Sequence, residues 1–560
     1  VSTPSLAEIR SGDRIAGAPF AGRSVVWGAN GAAATAHPLA TLTAIDILRA
    51  GGSAVDAAIA ANACLGLMEP TGCGVGGDVF ALIWDPAAQA VVGLNGSGRS
   101  PRNLTLEAQR ERAVEGRIRR HGAASVSVPG AVDGWWMAHR RFGRLPWKDL
   151  LAPAIALCEA GAPIPQTIAV QWRANVLALL EDGGLEETAN LKALHLADGA
   201  TPGEGRLFRN PDLGRTYRLI AEGGRDGFYE GEIAEAVERY FRRIGGWMDR
   251  RDLAAHAGEW VTPLSTGYRG VQVFGLGPNT QGLTTLQMLN ILKWFDLGEA
   301  GFLSARSLHL QAEAKRLAFE DRARRFADPA FAQVPVEELL SEEHAARQAA
   351  RIRLDRPIAD IARAAAPGRG DTTCLCTADS SGMMVSLLQS NFRGLGSGLV
   401  PDGLGFMFQN RGELFALTDG HPNLYAPGKR PFHTIIPGFA VKGGAPWLAF
   451  GVMGGDMQPQ GQVQVVTALM DHGLGLQEAG DAPRWRHDGS SDPTGVAAEG
   501  AGVLHLERGV PRSTRAALEA LGWRLGASDG GFGGYQAILR GPAAYGAASE
   551  MRKDGLALAY

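Results

Sequence analysis

Gly370-Asp371-Thr372-Thr373-Cys374-Leu375-Cys376-Thr377-Ala378-Asp379-Ser380-Ser381-Gly382 is the stretch on which the fold of this chain turns. A polar loop containing Arg and Pro (355–370) precedes it, and Thr373 to Ala378 has the composition of a strand. Asp379 to Gly382 reads as a turn, and a second β-rich run follows from Met383 to Gln389. The segment therefore predicts a hairpin with a threonine at its leading edge. Two readings of Thr372 are open. In one it is an ordinary edge residue of a strand. In the other the bond before it is cut, and hydroxyl and α-amine come to lie on one residue. A free α-amine titrates at about pH 8 and can serve as a base, which gives the N-terminal-threonine form of activated-hydroxyl catalysis.

Working outward, the texture beyond Thr372 is β-rich with frequent glycines. Val441 to Val452 reads as strand, Gly443-Gly444 turn and strand, and Met453-Gly454-Gly455-Asp456 leads into a helix predicted over Gln460 to His472. A glycine pair between a strand and a helix lets backbone N–H groups face one small space, which suits an anion or an oxyanion; a tight turn without a ligand fits the same residues. Val503 to Tyr560 reads as strand, helix (513–521), strands and a polar tail.

Upstream, Pro38 to Ala50 has helical periodicity and stops at Gly51-Gly52, while Ser53 caps a second, apolar helix closed by Pro70. Gly72-Cys73-Gly74-Val75-Gly76-Gly77 matches G-x-G-x-x-G in form. A dinucleotide site needs a strand before that motif and a helix after it, and here the order is reversed, so that reading is rejected. Leu303 to Phe326 predicts a long, amphipathic, charge-laced helix, and Arg351 to Ala366 an exposed linker.

At 560 residues the length alone suggests about three or four ordinary domains. Hydrophobic content of 45% and charged content of 20% describe a globular chain with ample core, and a net charge of -3 gives no general attraction to nucleic acid or anionic membrane. Five cysteines are few and odd in number, which argues against a disulfide framework and suits a reducing compartment or free buried thiols. Cys374 and Cys376 share a strand face with no further Cys or His near in sequence, so no metal is expected there. Residues 1–25 lack an apolar signal core. The expectation is a cytoplasmic protein, or a periplasmic or secreted one if a leader is removed before Val1.

Taken in order, residues 44–70, 72–84, 127–136, 145–161, 275–292, 312–331, 370–382, 397–415, 426–437, 451–466 and 546–560 resemble the γ-glutamyltranspeptidase family of N-terminal-nucleophile hydrolases. The "FHTIIP" and "MGGDMQPQ" versions are similar to a branch that includes oxamate amidohydrolases and glutathione-hydrolase-like proteins; cephalosporin acylases are further relatives. The resemblance implies an α+β fold, a four-layer αββα sandwich with a mainly helical outer region. It also implies a precursor that cuts itself between Asp371 and Thr372. Residues 1–371 would form a large subunit and 372–560 a small one, both building one intertwined core. Thr372 would be the nucleophile, Gly454 and Gly455 the oxyanion hole, Thr373 the second threonine of the family pair, and Ser390 a hydroxyl bonded to the nucleophile. No cofactor or metal is implied. The partners would be a small amide, water or an acceptor amine, and the chain's own two fragments.

Substrate recognition departs from the family pattern. The position of the arginine that binds the γ-glutamyl α-carboxylate aligns with Ser97, two residues before Arg99. The family's pocket asparagine aligns with Phe392, next to Asn391, and its amine-binding aspartate with Leu414, next to Glu413. Its paired serines read His433-Thr434. Losing a bidentate Arg–carboxylate contact weakens binding of a zwitterion. The candidates for a remodelled pocket are Arg99, Asn391, Arg393, Gln409, Asn410, Arg411, His433, Thr434 and Asp456. The expectation is an amide hydrolase or acyltransferase acting on a small acyl amide. A γ-glutamyl compound such as glutathione is the family default, and a non-zwitterionic amide such as oxamate is what the substitutions favour. A cephalosporin (glutaryl) acylase-like enzyme and a silent, ligand-binding relative are the alternatives.

Overall fold

The computed structural model describes residues 22–359, 371–495 and 500–560. Strand Asp371–Asp379 pairs antiparallel with Met384–Phe392, the predicted hairpin, and with Gly31–Thr35. Along the first of these strands Cys374, Cys376 and Ala378 pack to one side and Leu375 to the other, and Ala32 and Ala34 oppose Ala33 in the same way. Both faces of the sheet are buried. That is why its strands read as nearly unbroken apolar runs rather than as strict alternation.

The sheet has seven strands in the order Leu556–Ala559, Gly31–Thr35, Asp371–Asp379, Met384–Phe392, Asp78–Asp85, Ala90–Gly96 and Glu259–Val261. A second seven-stranded sheet runs Val26–Gly28, Tyr545–Ser549, Tyr535–Arg540, Ala445–Val452, Gly438–Lys442, Val271–Gly275 and Leu264–Tyr268. Phe80, Leu82, Cys374, Cys376 and Leu388 of the first sheet meet Phe439, Ala449, Ile538 and Ala547 of the second in one apolar layer. Helices Pro38–Arg49, Ala54–Met68, Ala131–Phe142 and Pro211–Tyr229 cover the outer face of the first sheet. Gly282–Leu292, Ala305–Arg325 and Met457–Met470 cover that of the second. The expected αββα sandwich is present. Among the described residues no helix is long and apolar enough to cross a membrane.

Local sequence explains how this frame reaches Thr372. Ser53 and Asp56 form a reciprocal capping box at the start of Ala54–Met68. Glu69 ends that helix, so the helix delivers a carboxyl group beside the hairpin. In the glycine turn that follows, a Cβ on Gly76 would stand 2.0 Å from the Met407 carbonyl oxygen and one on Gly77 2.3 Å from Asn391 Oδ1. Only glycine allows the turn to lie this close to the hairpin's second strand.

Two expectations change. The helix predicted over 303–326 runs Ala305–Arg325, but it is buried on nearly every side, charges included. Arg316 is paired with Glu313 one turn away at 2.6 Å, while Arg322 reaches Asp456 at 2.5 Å and Lys315 donates to Ser490 Oγ at 2.8 Å, so partners near and far in sequence replace water. The helix predicted from Gln460 begins at Met457, directly behind the glycine pair. The linker expected over 351–366 and residue Gly370 lie partly outside the described residues.

Candidate active site

The hairpin register slips beside Thr372. Asp371 faces Phe392 and Thr373 faces Gln389, so Ser390 and Asn391 together oppose the single residue Thr372. Such a bulge re-aims side chains locally. Here it brings the Ser390 hydroxyl to 2.6 Å from the Asp371 carbonyl oxygen, to which Thr372 Oγ1 also donates, at 2.7 Å. The Phe392 N–H (2.7 Å) and Arg411 Nη2 (3.3 Å) both donate to Ser390 Oγ. With both of its acceptor positions filled, the hydroxyl must spend its one hydrogen on the Asp371 carbonyl.

The Thr372 N–H donates to Asp371 Oδ1 at 2.9 Å, and Lys553 Nζ approaches the same oxygen at 3.3 Å. Gln458 Nε2 lies 3.4 Å from Thr372 Oγ1, and its Oε1 accepts the Ile436 N–H. Thr373 Oγ1 donates to Glu69 Oε2 at 2.6 Å. Burial pushes the Glu69 carboxyl up to about 8, against the opposing charge of Lys553. Thr372 itself is fully buried in the uncut chain.

Gly454 (φ +108°) and Gly455 (φ +59°) adopt conformations that L side chains rarely take. Among the described residues neither N–H donates a hydrogen bond, while both carbonyls accept bonds from the following helix turn. The Gln458 N–H bonds the Gly455 carbonyl, and its side chain touches Thr372, so one residue ties glycine pair to threonine. Gln281 braces the pair from behind: Nε2 donates to the Thr434 and Gly455 carbonyls, and Oε1 accepts from Arg322.

A cavity of about 450 Å³ adjoins this group, walled by Phe392, Thr434, Gly455, Asp456 and Leu414 and ringed by Arg120, Arg322 and Arg393. Arg393 and Glu413 form an ion pair in its wall. Arg411 lies behind the wall, fully buried, with its guanidinium 3.9 Å above the Phe392 ring and Nη1 donating to Thr434 Oγ1 at 2.6 Å.

Of the residues expected at the site, Thr372, Thr373, Ser390, Gly454, Gly455, Thr434 and Asp456 are brought together, and Arg393 and Arg411 lie with them. The others are engaged elsewhere. Arg99 turns to Asp328 and Glu259 at 3.3 and 3.5 Å, away from the cavity. Asn391 donates to the Cys73 carbonyl, Gln409 to that of Val128 and Asn410 to that of Arg120, so all three hold backbone. His433 Nε2 meets Asp78 Oδ2 at 2.9 Å, and Nδ1 faces the Ile435 N–H, which leaves neither nitrogen for a substrate. Burial and the Arg411 charge hold its imidazole well below its usual range, hence neutral. Ser97 donates to Asn95 Oδ1. Glu69, Gln458, Gln281 and Lys553 are the site residues the sequence does not announce. Glu69 just before Pro70 at a helix end is the single local signal among them. Among the described residues no His, Cys, Asp or Glu cluster is arranged to hold a metal.

Residues 40–560 match the family model for γ-glutamyltranspeptidase. The chain is similar to a solved cephalosporin acylase from Bacillus halodurans, with 39% identity, a TM-score of 0.88, and coverage of 96% of this chain and 97% of that one. It is 36% identical to the glutathione hydrolase-like YwrD proenzyme of Bacillus subtilis over 80% of this chain and 83% of the relative. It is also 35% identical to the oxamate amidohydrolase proenzyme of Klebsiella pneumoniae, over 81% and 85% respectively. On a match of this length, with the sandwich beneath it, this chain belongs to the γ-glutamyltranspeptidase family.

Proposed function

We propose that the chain cuts itself between Asp371 and Thr372, and that the freed Thr372 then hydrolyses a small amide through an acyl-threonine ester. The observation that carries this reading is the convergence of two hydroxyls, Thr372 Oγ1 and Ser390 Oγ, on the Asp371 carbonyl oxygen. In the self-cleavage step Thr372 Oγ1 adds to the Asp371 carbonyl carbon, and the C–N bond breaks as the amide nitrogen takes the hydroxyl proton. Water then hydrolyses the ester, leaving a carboxylate on Asp371 and an α-amine on Thr372. In turnover that amine accepts the hydroxyl proton while Oγ1 attacks the substrate carbonyl, and the Gly454 and Gly455 N–H groups take the developing oxyanion. The proton passes to the departing amine, and water (or an acceptor amine, giving transfer) releases the acyl group.

For the substrate, we favour a non-zwitterionic acyl amide such as oxamate over a γ-glutamyl compound such as glutathione. Ser97 is absorbed in a network with Asn95, Arg99 is turned away, and Leu414 stands in the cavity wall where an ammonium group would need an acid. The neighbouring Glu413 is already paired with Arg393. Relatives named as glutathione hydrolase-like, oxamate amidohydrolase and cephalosporin acylase support an amide-cleaving activity in general.

A denaturing gel tests the first half: two fragments from the wild type and one from Thr372→Ala are expected, and an uncut wild type under all conditions would sink the proposal. A panel of γ-glutamyl-p-nitroanilide, glutathione, oxamate and a glutaryl-β-lactam tests the second. Turnover of oxamate is expected, and efficient γ-glutamyl turnover would reverse the choice of substrate.

A further inference from the structure

Arg411 is a fully buried guanidinium with no carboxylate within ion-pair distance among the described residues. Among the described residues, the acids that bear on it are Asp78 first, then Glu413 and Asp456. Each is committed elsewhere: Asp78 to His433 and the Gly98 and Gly130 N–H groups, Glu413 to Arg393, and Asp456 to Arg322. Among the described residues Arg411 Nε has no hydrogen-bond partner. Burying a cation without a counter-ion is costly and is normally relieved by pairing. This one is instead held in place by Thr434, Ser390 and the Phe392 ring.

Position gives the charge a purpose. Phe392 and Thr434, which the guanidinium touches, both line the cavity, and its Nη2 also reaches Ser390 Oγ, the hydroxyl that donates to the Asp371 carbonyl. Its Nη2 is within about 6 Å of that carbonyl oxygen, the two legs through Ser390 Oγ being 3.3 and 2.6 Å. A guanidinium–carboxylate bond spans about 2.8 Å. In the monoamide of the two-carbon dicarboxylic acid the carboxylate oxygens lie about 3 Å from the amide oxygen. Together these lengths are enough to bridge a separation of at most about 6 Å. Each added methylene moves the carboxylate about 1.3 Å further from the reacting carbon, beyond the separation a guanidinium held this close to the carbonyl can serve.

Resting on the reading of Thr372 as nucleophile, we infer that Arg411 anchors a carboxylate bonded directly to the carbonyl under attack. The enzyme would then select monoamides of a two-carbon dicarboxylic acid. Self-cleavage removes the Asp371 carbonyl from the Ser390 hydroxyl, and the substrate's own carbonyl and carboxylate take up that hydroxyl and the guanidinium.

The test compares substrates within one protein. Mature wild type is assayed on oxamate, malonamate, succinamate and glutaramate, and on oxamide, which has the same carbonyl without the charge. A kcat/KM for oxamate at least 10-fold above the longer acids and at least 100-fold above oxamide is expected. Arg411→Met should bring the oxamate-to-oxamide ratio to within about fivefold, and Arg411→Lys should restore part of it. Because the variants can fail to mature through Ser390, inhibition of the wild type by oxalate, malonate, succinate and glutarate is measured as well, with oxalate expected to bind most tightly. A preference for succinamate or glutaramate, no preference over oxamide, or an unchanged ratio in Arg411→Met overturns the assignment and leaves the hydrolase reading standing. An uncut wild type that turns over no amide removes both.

Discussion

Ser390 shows how much one hydroxyl can be made to do when its environment leaves it a single choice. With the Phe392 N–H and Arg411 filling its lone pairs, its hydrogen is fixed on the carbonyl that must be polarised for the Asp371–Thr372 bond to open. Ser390→Ala should therefore slow self-cleavage by a factor of about 100 to 1,000, the usual cost of one oxyanion donor, measured as the half-time for the two fragments to appear. Glu69 gives a pH signature of a different kind. Burial holds its carboxyl at about 8 in the fold, against an ordinary value of 4.5. Below 4.5 both states are protonated, and the burial has no pH-dependent cost. Between 4.5 and 8 the folded state holds a proton that the unfolded chain has lost, so stability falls as pH rises, and above 8 the full penalty is present. Glu69→Gln keeps an acceptor for Thr373 and removes the charge. Its melting temperature should match the wild type near pH 4.5 and exceed it increasingly up to pH 9, by the equivalent of a few kcal/mol.

At the scale of elements, the strand-to-helix turn is the proposed oxyanion hole. A Cβ on Gly454 would lie 3.2 Å from the Met457 Cβ and would have to be carried at φ +108°. Gly454→Ala should fold, since strain of this kind costs about 1–3 kcal/mol. It should also lose about 100-fold in kcat as the N–H is re-aimed, with amide turnover and a thermal melt as the two readouts. This turn is legible in the sequence, because Gly454-Gly455 between an apolar strand and a helix is a local pattern. So are the Ser53 cap, the Gly443-Gly444 hairpin and the strand beginning at Thr372. Helix Ala305–Arg325 is not. Its charges imply a wet face, yet Lys315 reaches Ser490 and His487, and Arg322 reaches Asp456. Local pattern carries no information about partners more than a hundred residues away. The same distance hides Glu69 and Lys553 as neighbours of Thr372, and makes Arg99 look like a pocket arginine until Asp328 claims it.

Across the whole molecule, the predicted cut falls at a point where the two halves cannot part. Strands Asp371–Asp379 and Met384–Phe392 are inserted between Gly31–Thr35 and Asp78–Asp85, and Leu556–Ala559 closes the edge beyond Gly31–Thr35. Fragments 1–371 and 372–560 should co-elute under native conditions after complete cleavage and separate only in denaturant, checked by size exclusion followed by a denaturing gel. The interleaving also gives the protein a history. Before the cut, strand insertion is an intramolecular event; afterwards the same pairing requires two chains to meet, and refolding becomes second order in concentration. A matured molecule that unfolds has lost the tether that first assembled it. Its persistence is then governed by the rate of unfolding rather than by a reversible equilibrium. Cut as proposed, the bond at Asp371–Thr372 would work as a one-way latch: it would release the catalyst and spend the chain's means of rebuilding itself.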